Sequence, residues 1–156
     1  MKEKLKDLLD ECKNIINKII NQEIESFEIK DLIKNNRVNT EKIKHIEKGI
    51  YFFYNEENKI VYIGQGGVNN KTQLKKRVLQ ELRNYTKTIN GNNGATLSKN
   101  IQSFDKIVFD TDIKFREHIK DWKIKILNFE DLNLHMDIIE SLCIELYQPI
   151  YNIKGK

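Results

Sequence analysis

The stretch Gly49-Ile50-Tyr51-Phe52-Phe53-Tyr54, then Asn55-Glu56-Glu57-Asn58, then Lys59-Ile60-Val61-Tyr62-Ile63-Gly64-Gln65 decides the fold. It is the densest aromatic and β-branched sequence in the chain, the composition that suits a pleated, packed surface. Two such runs split by a turn-prone tetrapeptide read as an antiparallel hairpin. Gly64 ends the second strand where a backbone without a Cβ lets another group approach, and Gln65-Gly66-Gly67 continues that permissive loop. Two tyrosines thus stand beside a glycine loop. Taken alone, the same pattern also describes tyrosines that cap a core with their hydroxyls at its rim.

Outward from the hairpin, the 156 residues suit one domain with an extension, long enough to bury a core without staples. We expect an α/β (α+β) domain over 48–156, with a small three-stranded, mainly antiparallel sheet flanked by helices, behind a helical extension over 1–47. Cys12 and Cys143 lie far apart and form no ligand cluster, so free thiols in an intracellular protein are expected. The N-terminus lacks an uninterrupted apolar segment, and no run approaches the roughly 20 apolar residues of a membrane helix. The expectation is a soluble, cytoplasmic protein with no membrane partner. The abundance of Lys, Asn and Ile fits a bias toward AT-rich codons, so lysine content alone says little about nucleic acid.

Leu5, Leu8, Leu9, Cys12, Ile15, Ile16, Ile19 and Ile20 recur at helical spacing and predict an amphipathic first helix. A second helix over Ile24 to Lys34 and a short one to about Glu47, capped by Asn39 or Thr40, are expected next. Asn35-Asn36-Arg37 separates them. Such spacing allows a helix-turn-helix but more commonly belongs to an extension packed on its own domain or on a second subunit.

After the hairpin, a polar loop over Gly66 to Gln73 leads to a helix from Leu74 to about Tyr85, with Leu74, Val78, Leu82 and Tyr85 inward and Arg77 off that stripe. From Gln65 to Phe104 the basic residues Lys71, Lys75, Lys76, Arg77, Arg83, Lys87 and Lys99 face the single acid Glu81, while the whole chain carries a net charge of only +4. The positive excess therefore lies in the segment behind the hairpin, as a phosphate-binding surface requires. The small polar residues of Ile89 to Lys99 read as a loop before a short helix from Ala95 to Ser103. Asp110 to Asp121 reads as a helix and Trp122 to Phe129 as the third strand. His45, His118 and His135 show no metal-ligand spacing.

The last helix, about Asn133 to Tyr147, carries the sharpest anomaly. Around Glu140 the helical neighbours are Met136, Cys143, Ile144 and Tyr147, none of them a charge partner. A carboxylate in an apolar stripe loses hydration and marks a candidate site. Pro149 ends the helix and sets Tyr151-Asn152 in an extended tail.

Together these residues carry a resemblance. Gly49-Ile50-Tyr51 and Tyr62-Ile63-Gly64, with ten residues between the tyrosines, resemble the signature of the GIY-YIG nuclease family. Arg77 on the following helix, the late Glu140 and Pro149-Ile150-Tyr151-Asn152 match the rest of that pattern in order. The likeness runs from Gly49 to Asn152. It departs at Gln65, where some relatives carry lysine, and at Glu81, where some carry histidine or tyrosine. Gln65 keeps an amide that can donate to a phosphate, and Glu81 pairs with Arg77 at i, i+4.

The resemblance implies a metal-dependent DNA endonuclease. Glu140 would hold one Mg2+ or Mn2+ per active site, with several waters retained. Tyr51 would activate or position the attacking water, Arg77 would stabilise charge on the phosphate, Tyr62 would orient phosphate or water, and Asn152 would position these groups. Double-stranded DNA would lie on Gln65, Lys71, Lys75, Lys76, Arg83, Lys87 and Lys99. The short tail after Asn152 points to a stand-alone restriction-like or phage-type enzyme, with a homodimer as one route to double-strand cutting. The competing expectation is a non-catalytic nucleic-acid-binding module that kept the fold.

Overall fold

The computed structural model describes residues 2–67, 73–88, 91–93, 96–130 and 135–152. In chain order come α1 (Lys2–Glu23), β1 (Ile24–Glu28), β2 (Ile33–Lys34), β3 (Arg37–Val38), β4 (Gly49–Tyr54) and β5 (Ile60–Gly66). Then follow α2 (Leu74–Glu81), β6 (Thr86–Thr88), β7 (Gly91–Asn93), α3 (Thr96–Asp105), α4 (Asp112–Ile119), β8 (Lys123–Asn128) and α5 (Met136–Tyr147). Short 3-10 turns occupy Ile29–Leu32 and Glu41–Ile43.

The hairpin forms as its sequence predicts. β4 and β5 pair antiparallel with Tyr51 opposite Gly64 and Phe53 opposite Tyr62. In the turn Asn58, at φ 61°, takes the left-handed conformation that asparagine tolerates best after glycine. β8 pairs with the other side of β4, as expected of the third strand.

A fourth strand corrects the expected topology. Ile24 to Lys34, read as a helix, instead supplies β1, and the main sheet runs β1-β8-β4-β5 with every pair antiparallel. Local helical spacing gives way to tertiary pairing: β8 sits inside the sheet and needs a partner on its second side, and β1 offers Glu28 directly opposite Lys123. The segment after β1 also enters the core, where Ile29, Leu32, Ile43 and Ile46 pack with Tyr51, Phe53 and Leu74. The expected third helix shrinks to the 3-10 turn Glu41–Ile43, whose N-cap Thr40 makes no side-chain cap bond, while Asn39 Oδ1 just before it accepts from the Glu41 N–H at 3.0 Å. The polar loop expected over Ile89 to Lys99 is replaced in part by the β6–β7 hairpin; residues 89–90 and 94–95 lie outside the described residues.

Every residue of β4 is buried, because the sheet is covered on both faces. Alternation sends Tyr51 and Phe53 to one face and Ile50, Phe52 and Tyr54 to the other. The first face packs against Leu74, Val78 and Leu82 of α2 and its end, Leu97 and Ile101 of α3, and Phe115 and Ile119 of α4. The second packs against Ile16 of α1 and against Met136 and Cys143 of α5. Each large side chain so buried contributes about 1.5–3 kcal/mol.

α5 ends at Gln148, in the left-handed region at φ 45°, just before Pro149. The tail then returns along the outer edge of β5: the Tyr151 N–H donates to Val61 O at 2.9 Å, and the Asn152 side chain both accepts from Ile63 N (2.7 Å) and donates to Ile63 O (2.8 Å). An amide side chain thus does what a neighbouring strand would do and closes an open edge. Tyr151 stacks on Trp122, its ring centroid 6.0 Å away, and donates its hydroxyl to Asp105.

Candidate active site

Tyr51 and Tyr62 stand on adjacent strands of the same face, ring centroids 6.4 Å apart. The Tyr51 ring lies flat over Gly64. A Cβ at Gly64 would fall 2.3 Å from the Tyr51 hydroxyl and 2.4 Å from Cζ, so only glycine leaves room for the phenol in this position. Opposite them, the inward stripe Leu74, Val78 and Leu82 seats α2 against the sheet, and this rotation carries Arg77 and Glu81 to the phenols.

Glu81 is the hub. Its Oε1 accepts from the Tyr51 hydroxyl at 3.1 Å, from the Tyr62 hydroxyl at 3.3 Å and from Arg77 Nη2 at 3.3 Å, while Oε2 accepts from the Leu97 N–H of α3 at 2.9 Å. The carboxylate is 1 % exposed. Burial pushes its pKa up, and the Leu97 N–H, the Arg77 guanidinium and the two phenols work against that rise. Burial first and the Glu81 charge second push the Tyr51 phenol well above its ordinary value, and Tyr62 is raised for the same two reasons. The Arg77 guanidinium acts in the opposite sense and does not prevail. A phenol so placed keeps its proton. Burial and the Glu81 charge thus oppose the phenolate form that a tyrosine base requires.

Glu140 sits half-buried on α5, its carboxyl pushed up to about 7 by burial and by Asp137 one turn earlier, with Arg77 acting in the opposite sense. No hydrogen bond or salt bridge engages its side chain among the described residues. A carboxylate without a compensating partner suits a divalent cation, and one protein ligand with waters is an ordinary magnesium arrangement. Among the described residues there is no group of three or more His, Cys, Asp or Glu side chains that could form an all-protein cage.

Asn152 adjoins Tyr62 through Ile63, so it holds the edge strand in place. Gln65 donates one amide N–H to Asp137 Oδ1 at 2.6 Å, and its Oε1 is buried without a partner among the described residues. Lys75 and Lys76 project from the outer side of α2, with Lys76 and Arg83 exposed. Lys99 lies over the Tyr85 ring, 5.5 Å from its centroid. Lys71 and the Lys87 side chain lie outside the described residues. The structure thus ties Tyr51, Tyr62 and Arg77 together through Glu81, brings Glu140 within the field of Arg77, and leaves Lys75, Lys76 and Lys99 away from that cluster.

Sequence reasoning assigned Glu81 only to Arg77 and missed its grip on both tyrosines. Its signal was present as the one acid in a basic segment. The histidines take structural places: His45 meets Glu25 at 2.9 Å, His118 packs beside Phe109 and Trp122, and His135 precedes α5. No protein-family model matches this chain, and no curated protein matches it in sequence. No described helix is long and apolar enough to cross a membrane.

Proposed function

We propose that this chain is a divalent-metal-dependent endodeoxyribonuclease with a GIY-YIG-like domain, hydrolysing phosphodiester bonds of double-stranded DNA. The convergence of Tyr51, Tyr62 and Arg77 on one buried carboxylate, with the unpartnered Glu140 inside the field of Arg77, carries this reading.

Glu140 would hold one Mg2+ or Mn2+, which supplies Lewis-acid polarisation of the scissile phosphate and stabilises the leaving oxygen. Arg77, one face bound to Glu81 and Gln80 and about a third exposed, offers its remaining N–H groups to the charge that develops on phosphate oxygens. Tyr51, whose proton is directed to Glu81, would position the attacking water through its oxygen. Tyr62, held by the same carboxylate, would orient water or phosphate. Asn152 keeps β5 in register and acts through that strand.

One site cuts one strand, so a double-strand break most simply uses two copies related by a two-fold axis, and a homodimer or a dimer formed on DNA is one route to it. A restriction-like or phage-type enzyme acting in the cytoplasm is the preferred setting.

Incubation with supercoiled plasmid and Mg2+ or Mn2+, followed by end-sequencing, tests the proposal. Nicked or linear product that needs metal and Glu140 is the expected result. DNA binding without cleavage under either metal would return the non-catalytic module instead.

A further inference from the structure

Asn35 and Asn36, with φ of 52° and 59°, form a tight two-residue turn between β2 and β3 and place Arg37 at the start of β3. The turn is fastened. The buried Arg116 of α4 donates to Asn36 O at 2.7 Å and to Leu82 O at 3.0 Å, tying the hairpin tip to the end of α2. Between hairpin, α2 and α4 lies an open cleft of about 1050 Å³, lined by polar groups that include Arg37, Gln80, Arg83 and Arg116.

The charge balance of this cleft is uneven. Its two acids are already satisfied: Asp110 pairs with Lys114 at 2.8 Å, and Asp112 accepts from the Asn84 N–H at 2.7 Å and faces Arg116 at 3.7 Å. Arg37 and Arg83 are exposed, and among the described residues neither side chain has a hydrogen bond or salt bridge. Arg37 also stands directly opposite Lys34 across the hairpin, a like-charge pair that destabilises the ladder unless an anion lies beside it. At its inner wall Gln80 accepts from Arg77 Nη1 at 3.1 Å, so the cleft begins next to the guanidinium assigned to the scissile phosphate.

We propose that this cleft is a groove for the phosphodiester backbone flanking the cut, with Arg37 and Arg83 as its two phosphate contacts. The proposal rests on the nuclease reading above and adds to it the path of the strand away from Arg77. Guanidinium groups suit the task because their planar N–H forks match phosphate oxygens two at a time. A groove held rigid by Arg116 positions the backbone with little loss of side-chain freedom.

The test compares wild type, R37A/R83A and R37K/R83K as full chains, by fluorescence anisotropy on duplex DNA in EDTA over a range of salt. R37A/R83A should bind roughly tenfold or more weakly on every sequence, and its log K against log salt slope should be shallower by roughly 2, about 0.9 for each lost phosphate contact. The lysine pair should keep most of the slope. If wild type binds and cuts DNA and R37A/R83A shows the same affinity and slope, the groove is refuted while the nuclease stands. If inorganic phosphate perturbs the NMR signals of the two arginine side chains and duplex DNA does not, the cleft is a small-anion site and the proposal falls. Absence of DNA binding and cleavage in wild type would overturn both readings together.

Discussion

The Tyr51 hydroxyl donates to Glu81 Oε1 at 3.1 Å, inside a core where Tyr51 is fully buried and Glu81 is 1 % exposed. This contact decides what the phenol can do. Burial and a neighbouring carboxylate both disfavour phenolate, so the tyrosine keeps its proton. It also makes Glu81 an anchor on which two strands and two helices converge.

Removing that anchor should be severe. Glu81→Ala leaves two buried phenols, an N–H of α3 and the inner face of Arg77 without their acceptor, and should destabilise the fold by about 3–5 kcal/mol. Tyr51→Phe removes one donor and should cost about 1 kcal/mol. Urea denaturation of the single and double variants checks both, and strictly additive losses would show that the two side chains are not coupled.

Catalysis should respond separately from stability. Tyr51→Phe and Arg77→Ala should each slow single-turnover cleavage by about 10²-fold or more, the size expected for a lost positioning or electrostatic contact. Rapid-quench assays under conditions where both variants remain folded measure this. Unchanged rates in both would remove these residues from the reaction.

Gly64→Ala is the sharpest steric test. Its Cβ would land 2.3 Å from the Tyr51 hydroxyl, 2.4 Å from Cζ and 2.6 Å from Cε2, so the phenol must move. Overpacking of this kind costs about 1–3 kcal/mol. The variant should lose thermal stability and cleavage together, and a crystal structure with Tyr51 unmoved would contradict the expectation.

Glu140 predicts a pH signature in metal-free protein. Its carboxyl lies at about 7 in the fold against an ordinary 4.5, so the folded state holds the proton more tightly than the unfolded chain does. Its contribution to stability is therefore fully present below about pH 4.5, declines as pH rises toward 7 and is lost above. Melting curves of wild type and Glu140→Gln in EDTA should diverge over that window, with the variant lacking this part of the decline. Above it, added Mg2+ should raise the melting temperature of wild type alone.

α1 offers a structural counterpart. Ile16 is buried against Ile50, Phe52 and Leu127, and Tyr147 of α5 donates its hydroxyl to Asn17, so the helix covers a sheet face of its own chain. Deleting residues 1–22 should expose that face, lower the melting temperature and promote aggregation, as dye binding and calorimetry would record. If α1 also joins two copies, the deletion turns double-strand cutting into nicking. Sedimentation of the full chain with and without DNA separates these effects.

The hairpin, the inward stripe of α2, Glu140 among apolar neighbours and the stop at Pro149 were all legible in the chain, because each depends on residues a few positions apart. Strand alternation, helical periodicity and proline geometry act locally. What the chain could not disclose was set by partners distant in sequence. Ile24 to Glu28 became a strand because β8, a hundred residues later, needed its second neighbour. Glu81 looked like a simple helical pair to Arg77, and only the docking of α2 on β4 and β5 brought both phenols and the Leu97 N–H to it. The amide of Gln65 was drawn to Asp137, and Arg37 was set across a cleft from Arg83 by a buried arginine from α4. Sequence determined the side-chain chemistry available; long-range packing decided which groups share a dielectric environment, and with it which keep their protons and which remain open to a ligand.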